Sequence, residues 1–114
     1  MSNCLFCKII KKEIPAKIVY EDDEVIAFDD IRPQAPVHTL IIPKEHISTL
    51  KEATEDQVAL LGRILLKAKT IAAQKGIDQS GFRIVLNTGP DSGQEVFHLH
   101  LHLLGGRRLG WPPG

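Results

Sequence analysis

Several features that would mark a particular class of protein are missing from this chain. There is no excess of charge of either sign, because 14 lysines and arginines match 14 aspartates and glutamates. The chain therefore lacks the overall field that favours nucleic acid or an anionic membrane. No apolar run approaches the roughly 20 residues of a membrane span, and the apolar patch near the start is too short for a signal peptide. We expect a cytoplasmic protein that binds neither nucleic acid nor membrane.

Cysteine is also scarce, since Cys4 and Cys7 are the only two. In a chain expected inside the cell, both are reduced or bound to metal. Their spacing places the two thiols on one face of a helix. His46 and one of the later histidines can complete a Cys2His2 tetrahedron around zinc. A structural zinc site and a metal-free pair both stay open.

Length and composition suit one domain. The chain has 114 residues, 43% of them hydrophobic, which is enough to bury one core but hardly two. We predict a single domain over residues 1–114. Residues 105–114 are predicted to form an extended tail, and its tryptophan, Trp111, suggests docking on another surface such as a second subunit.

Apolar periodicity and turn signals divide the chain into two helices and several strands. Ser2 or Asn3 can cap a short first helix over residues 4–10. Residues 54–57 form a capping box before a long amphipathic helix that ends near Gly76. Alternating or β-rich runs predict strands over residues 17–21, 24–28, 37–43, 82–87 and 97–104.

The last of these runs is the most informative part of the sequence. Over residues 97–104 three histidines alternate with leucines, which is the period of a strand. At a rise of about 3.3–3.4 Å per residue, the imidazoles lie roughly 6.6–6.8 Å apart on one face, and the leucines face a core. Such a row suits metal binding, or nucleophilic and proton-transfer chemistry near neutral pH. We interpret His98, His100 and His102 as the active surface.

Two other stretches can bind a ligand beside this row. Asp30 follows a predicted strand, where a carboxylate either stabilises a turn or accepts hydrogen bonds from vicinal hydroxyls. The glycine-containing loop over residues 88–95 separates Asn87 from the histidines. Successive backbone N–H groups in such a loop can surround an anion. We favour phosphate binding for this loop.

The sequence resembles a known family at these same positions. His-Leu-His-Leu-His-Leu-Leu is similar to the motif that names the histidine triad (HIT) superfamily of nucleotide hydrolases and transferases. The resemblance extends over residues 14–17, 29–36 and 41–47 and over Gly93-Gln94. The ending Trp111-Pro112-Pro113-Gly114 resembles the Hint branch, the purine nucleoside phosphoramidases.

The resemblance implies a fold, an assembly and a reaction. The fold is α+β, with a five-stranded antiparallel sheet, one long helix and one short helix, and the sheet continues across a homodimer. The reaction is hydrolysis of a P–N bond in a purine nucleotide, with release of AMP or GMP and no cofactor required for the chemistry. His100 matches the nucleophile that forms a nucleotidyl-histidine, and His102 matches a phosphate contact. His98 and His38 match supporting members of the network.

Other positions match the nucleotide contacts of the family. Asp30 matches the acceptor of ribose hydroxyls, and Asn87 matches a phosphate contact. The apolar slot around the base matches Phe6, Phe28 and Ile31, with Leu5, Ile9 and Ile14 beside it. The remaining nucleotide contacts are assigned to Gly93, Gln94, Glu95 and Val96.

Two positions depart from the pattern of many Hint members. Glu95 replaces a serine that is thought to help protonate the leaving amine. A carboxyl group can do this if burial raises its pKa, whereas an ionised carboxylate would repel the phosphate. The pair Cys4 and Cys7 resembles zinc-binding relatives, in which the other two ligands match His46 and His98.

A purine nucleoside phosphoramidase is therefore the expected function. A dinucleoside polyphosphate hydrolase of the Fhit type shares the triad and is the alternative enzyme. A module that mainly binds nucleotides or a protein partner is the alternative from another class. A metal-dependent hydrolase that uses the three histidines as ligands is the remaining alternative.

Overall fold

The computed structural model describes residues 3–114. Its elements are two α-helices and five strands: α1 (Leu5–Ile10), β1 (Ile18–Glu21), β2 (Val25–Asp29), β3 (Val37–Pro43), α2 (Val58–Gln74), β4 (Phe82–Leu86) and β5 (Leu101–Gly105). The strands form one sheet in the order β1-β2-β3-β5-β4, and every neighbouring pair is antiparallel. The predicted α+β fold is confirmed. Within residues 3–114 no helix is both long and apolar enough to cross a membrane.

The two helices cover opposite faces of the sheet. Because side chains alternate along a strand, Val25 and Ala27 of β2 pack in the core on the α2 side, whereas Ile26 and Phe28 pack in the core on the α1 side. The residues that α2 buries recur at helical spacing, and they are Leu60, Ile64, Ala68, Ile71 and Ala72. Since burying one large apolar side chain stabilises by about 1.5–3 kcal/mol, these two cores hold the sheet between the helices.

The strand that carries the histidines begins later than predicted. β5 starts at Leu101, which lies opposite Ile41 of β3 and Leu86 of β4. Residues 97–100 are not part of the sheet, and the Leu99 N–H donates to the Ile47 carbonyl at 2.6 Å. The alternation still holds, because Leu99, Leu101 and Leu103 are all buried in the core on the α2 side. The prediction of a strand over 97–104 was therefore wrong in its first half, while its two faces were right.

The helix starts also differ in detail from the prediction. The cap of α1 is Cys4, whose Sγ accepts from the Cys7 N–H at 3.4 Å, and not Asn3; Ser2 lies outside the described residues. The capping box at Thr54 is present, with its N–H donating to Gln57 Oε1 at 2.9 Å. It caps a 3-10 turn (Glu55–Gln57) that precedes α2. The other predicted strand boundaries agree within one residue.

Candidate active site

A cleft of about 540 Å³ opens on the α1 side of the sheet. It collects most of the residues that the sequence singled out. Those that line it are Phe6, Phe28, Asp30, Ile31, His38, Asn87, Gly93, Glu95, Val96, His100 and His102, together with Leu5, Ile9 and Ile14. Gln94 and His98 are absent from this lining. Chain segments that are far apart in the sequence thus meet at one concave surface.

One end of the cleft is an apolar slot. Phe6 of α1 and Phe28 of β2 meet edge to face, with ring centroids 5.4 Å apart and an interplanar angle of 74°. Both rings are buried, while Ile31 at the rim is 90% exposed. A flat apolar ring system of a ligand can enter between the buried rings and the exposed isoleucine. The slot therefore suits a nucleobase.

His100 lies on the cleft wall with a defined tautomer. Its Nδ1 is 2.8 Å from the carbonyl oxygen of His98, and since a carbonyl only accepts, the Nδ1–H is the donor. The Nε2 of a neutral ring then keeps its lone pair. Burial lowers the pKa of His100 below its ordinary value, which favours the neutral ring at pH 7. A buried neutral imidazole with a free Nε2 is a competent nucleophile.

His102 and His38 form a second imidazole pair beside His100. The Nε2 of His38 lies 2.9 Å from the Nδ1 of His102. Burial is the main cause that lowers the pKa of His102 to about 4, and repulsion from His100 and His38 adds to it. Burial likewise lowers the pKa of His38. The pair is therefore neutral at pH 7, and a ring N–H of His102 can donate to a bound phosphate.

Asp30 serves a turn and faces the cleft at the same time. Its Oδ1 accepts from the Arg32 N–H at 2.8 Å, which is the turn role that an aspartate commonly has. Its Oδ2 lies 3.5 Å from the Nε2 of His38. One carboxylate oxygen is thus held by the backbone, and the other is directed towards the histidines. Both roles that the sequence left open are compatible with this geometry.

The loop over residues 88–95 was predicted to surround a phosphate with its backbone N–H groups, but some of these groups bond within the loop. The N–H of Gly93 donates to the Pro90 carbonyl at 3.0 Å, and that of Gln94 to the Gly89 carbonyl at 3.4 Å. Neither amide is free for an anion. Glu95 and Val96 line the cleft, and within residues 3–114 no hydrogen bond from their N–H groups is found. The backbone amides available to an anion are therefore those of Glu95 and Val96.

The side chain of Gln94 stabilises the loop over residues 88–95 through hydrogen bonds. Its Oε1 accepts from the Gly89 N–H at 2.9 Å. Its Nε2 donates to the carbonyls of Ser48 at 3.0 Å and Val96 at 3.1 Å. The side chain is buried and its polar atoms are engaged by the protein. The structure thus places Gln94 behind the cleft wall, and not in contact with the cleft as its assignment to nucleotide binding required.

Glu95 is on the cleft wall and exposed to solvent. A carboxyl group that donates a proton at neutral pH needs burial to keep it protonated, and this position does not provide it. The buried carboxyl group on which the prediction of proton donation depended is therefore not observed.

A separate cluster forms beneath the cleft from Cys4, Cys7, His46 and His98, whose ligand atoms all lie within 4.8 Å of one another. The Nδ1 atoms of the two histidines are 3.2 Å apart. The sulfur–nitrogen distances are 3.4 Å from Cys4 to His98, 3.3 Å from Cys7 to His46 and 3.6 Å from Cys7 to His98. These four side chains come from three distant parts of the chain.

The spacing of this cluster fits a tetrahedral zinc ion. Zinc bound at about 2.0–2.1 Å to nitrogen and 2.3 Å to sulfur places its ligands roughly 3.3 Å (N to N) and 3.6 Å (N to S) apart. The Nε2–H of His98 donates to the Pro43 carbonyl at 2.8 Å, so the Nδ1 lone pair faces the cluster. Such an outer hydrogen bond commonly orients a metal-binding histidine. With four protein ligands, the site would be closed and structural.

Some residues that line the cleft were not predicted from the sequence. Leu40 lies in the cleft because it pairs with His102 across β3 and β5, and only the register shows this. Arg32 and Gln34 line the cleft from the loop after Asp30. They belong to a stretch that resembled the family, but no chemistry had been assigned to them.

Comparison with known families agrees with this geometry. Residues 3–108 match the family model described as "Scavenger mRNA decapping enzyme C-term binding". Among solved structures, a HIT family hydrolase from Legionella pneumophila has a TM-score of 0.97 and 55% identity, and the match covers 98% of this chain and 100% of that one.

Two curated relatives carry informative names. A "14 kDa zinc-binding protein" of Brassica juncea is 54% identical over 114 residues, which cover 98% of this chain and 100% of the relative. The protein named "Adenylylsulfatase HINT1" of Arabidopsis thaliana is 52% identical over 115 residues, which cover 99% of this chain and 78% of the relative.

Proposed function

Because the chain belongs to the histidine triad (HIT) family, we propose that it is a hydrolase of purine nucleoside phosphoramidates. The observation that carries this proposal is the His100 ring, whose Nδ1–H donates to the His98 carbonyl at 2.8 Å. This bond leaves the Nε2 lone pair available on the wall of a cleft that has an apolar slot at one end. The products are a nucleoside monophosphate and an amine.

The reaction proceeds in two displacements at phosphorus. In the first, Nε2 of His100 attacks the phosphorus, the P–N bond breaks, and the leaving amine takes up a proton from water. In the second, water attacks the nucleotidyl-histidine and loses a proton to solvent, and the bond between phosphorus and Nε2 breaks to restore the neutral ring. Division into two steps replaces one difficult reaction with two easier ones. The amides of Glu95 and Val96 and the side chains of Asn87 and His102 stabilise the charge on the phosphate oxygens.

The rest of the cleft selects the nucleotide. The base enters the slot formed by Phe6, Phe28 and Ile31, where contact with the buried rings and exclusion of water stabilise it. The Oδ2 of Asp30 accepts hydrogen bonds from the ribose hydroxyls. The phosphate then reaches the histidines beside the slot, where the ring of His100 lies 5.1 Å from that of Phe6 between centroids.

Adenylyl sulfate is a second candidate substrate. The relative from Arabidopsis thaliana, 52% identical to this chain, is named an adenylylsulfatase. Hydrolysis of this compound by the same two displacements would release sulfate in place of an amine. Sulfate is a good leaving group that needs no proton, which suits an exposed Glu95 that does not act as an acid.

A substrate panel tests the proposal. The ratio kcat/KM is measured for adenosine 5′-phosphoramidate, adenylyl sulfate and a diadenosine polyphosphate, with and without a chelator. We expect the phosphoramidate to be cleaved most efficiently and the chelator to leave turnover per folded molecule largely unchanged. Preference for the dinucleotide would identify an Fhit-type hydrolase, and binding of AMP without turnover of any substrate would identify a binding module. Either result would reject the phosphoramidase.

A bound zinc ion and a second subunit complete the proposal. The cluster of Cys4, Cys7, His46 and His98 would hold zinc in a structural role, and the chemistry needs no cofactor. The two end strands of the described sheet, β1 and β4, each leave one edge open. The homodimer would form at β4, because the exposed Trp111 of the tail lies beside Arg83 of this strand. Reduced, metal-binding thiols are compatible with the expected cytoplasmic location.

A further inference from the structure

The start of the C-terminal tail is docked on the loop that leads into β3. Gly106 has φ +93°, and a Cβ built there would lie 2.8 Å from the Cβ of Pro36. Only glycine permits so close an approach in this backbone conformation. The next residue, Arg107, donates from Nη2 to the Gln34 carbonyl at 2.8 Å. Two adjacent tail residues therefore hold the loop that contains Gln34 and Pro36.

The same loop also touches the histidines of the cleft. The N–H of Gln34 lies 3.0 Å from the Nδ1 of His38. Since a backbone N–H only donates, this ring nitrogen is the acceptor. A neutral His38 then carries its proton on Nε2, 2.9 Å from the Nδ1 of His102. The Nε2–H of His38 therefore donates to the Nδ1 of His102, which must be unprotonated. A neutral His102 then carries its proton on Nε2.

We propose that Arg107 is a positioning residue that, through Gln34, fixes the tautomers of His38 and His102. The chain of hydrogen bonds runs from the guanidinium to the Gln34 carbonyl, from the Gln34 amide to His38, and from His38 to His102. Its outcome is a His102 ring that can donate through Nε2–H to a phosphate oxygen. The effect on catalysis rests on the proposed function, whereas the assignment of the tautomers does not depend on it.

The direction of the chain matters because phosphate oxygens only accept. With the opposite tautomer, His102 would present a lone pair to the phosphate, and the interaction would become repulsive. Asp30 reinforces the same arrangement, since its Oδ2 lies 3.5 Å from the protonated Nε2 of His38. Arg107 is exposed, so its bond stabilises the loop only modestly, and we expect a moderate effect on rate.

The tautomers can be measured directly on the ligand-free protein. Long-range proton–nitrogen NMR spectra of protein labelled with 15N-histidine distinguish Nδ1–H from Nε2–H rings, and His38→Asn and His102→Asn assign the signals. We expect the Nε2–H form for both. Arg107→Ala should move both signals towards a mixture of tautomers, and Arg108→Ala, a change of the neighbouring exposed arginine, should not.

Kinetics supply the second readout. We expect Arg107→Ala to lower kcat for a phosphoramidate by roughly 3- to 10-fold, the scale of one weakened charged hydrogen bond, and Arg107→Lys to recover part of it. An Nδ1–H tautomer of His38 in the wild type would overturn the inference, as would an Arg107→Ala variant that matches Arg108→Ala in both spectrum and kcat. If the wild type shows the expected tautomers but no turnover, the proposed function fails and the tautomer assignment stands.

Discussion

His100 is the residue on which turnover depends most directly, because its Nε2 is the atom that bonds to phosphorus in the proposed reaction. We expect His100→Asn to reduce kcat by roughly three orders of magnitude or more, the scale on which loss of a covalent nucleophile acts. Asparagine retains an amide that can donate to the His98 carbonyl, so the fold and AMP binding should persist. Steady-state kinetics and calorimetric titration with AMP measure the two quantities.

A trapped intermediate gives a stricter test of the same residue. Rapid quench with a labelled adenosine phosphoramidate should recover AMP on the wild-type protein as an acid-labile, base-stable adduct, and none on His100→Asn. Near wild-type turnover by the variant, or the absence of an adduct under single-turnover conditions, would contradict the assignment.

Glu95 is the second residue whose role can be tested by substitution. Because this side chain is exposed and lines the cleft, we expect it to act as an anion that weakens AMP binding. Glu95→Gln should then tighten the Kd for AMP by roughly 2- to 5-fold at low salt, the scale of a screened charge pair. Adenosine, which has no phosphate, is the control ligand and should bind equally to both proteins.

The leaving group distinguishes repulsion from proton donation by Glu95. If the carboxyl donates a proton, Glu95→Gln slows substrates with basic leaving amines and spares those with good leaving groups. Selective slowing of the basic substrates together with unchanged AMP affinity would show that the repulsion argument is wrong.

At the scale of elements, α1 is too short to be stable by itself, since it has six residues and isolated helices of that length are marginal in water. Two attachments hold it: Phe6 and Ile9 pack in the core, and Cys4 and Cys7 join the cluster at its N-terminal end. The free energy of zinc binding should therefore appear as stability of the fold.

We predict about one zinc per chain in untagged protein by metal analysis. Cys7→Ser should lower Tm, measured by calorimetry, by more than it lowers turnover per folded molecule, because the metal would hold α1 without touching the substrate. Lys11→Ser, at the other end of α1, is the matched control and should leave zinc content unchanged. Metal-free protein with full stability would remove the basis for the site.

At the scale of the whole molecule, a buried histidine links stability to pH. The pKa of His102 has its ordinary value of 6.5 in the unfolded chain, and burial lowers this pKa to about 4 in the native state. As pH falls below about 6.5, His102 is protonated in the unfolded chain but stays neutral in the native state. Protonation therefore stabilises the unfolded chain, and the free energy of unfolding decreases progressively until about pH 4. Urea unfolding between pH 7.5 and 4.5 measures the decline. His102→Asn should show a shallower decline, and an identical slope would contradict the prediction.

Assembly is the other property of the whole molecule that the surface predicts. α2 exposes three large apolar side chains, Val58, Leu65 and Leu66, and the edge of β4 is open. Trp111 is 81% exposed and lies 5.9 Å from the guanidinium of Arg83 on β4, which brings the tail beside the same edge. We propose that these exposed apolar groups contribute to the surface at which two subunits meet.

We expect a dimer in sedimentation velocity at micromolar concentration. Leu65→Asp should shift it towards monomer, because a carboxylate placed in an apolar interface is costly to desolvate. Lys11→Asp, on an exposed position after α1 on the opposite side of the sheet, should have a smaller effect. A wild-type protein that sediments as a monomer would contradict the proposed dimer.

Local sequence patterns were enough to predict most of the helices and strands and the chemical character of the site. Alternation of histidine and leucine assigned two faces to one segment, and the buried leucines confirm them. Local signals such as the capping box at Thr54 and the helical spacing of apolar residues in α2 also predicted what is observed. These features depend on neighbours within a few positions, which is why they can be recognised without the fold.

Which polar groups meet, and which of their nitrogens carry a proton, depends on the folded arrangement of the chain. β5 begins at Leu101, opposite the end of β4 at Leu86, although β3 continues past this point to Pro43. The support given by Gln94 follows from its contacts with Ser48 and Gly89. The tautomers of the histidines depend on the His98 carbonyl and the Gln34 amide. Burial and hydrogen-bond direction arise from contacts between distant parts of the chain, so composition and spacing do not specify them.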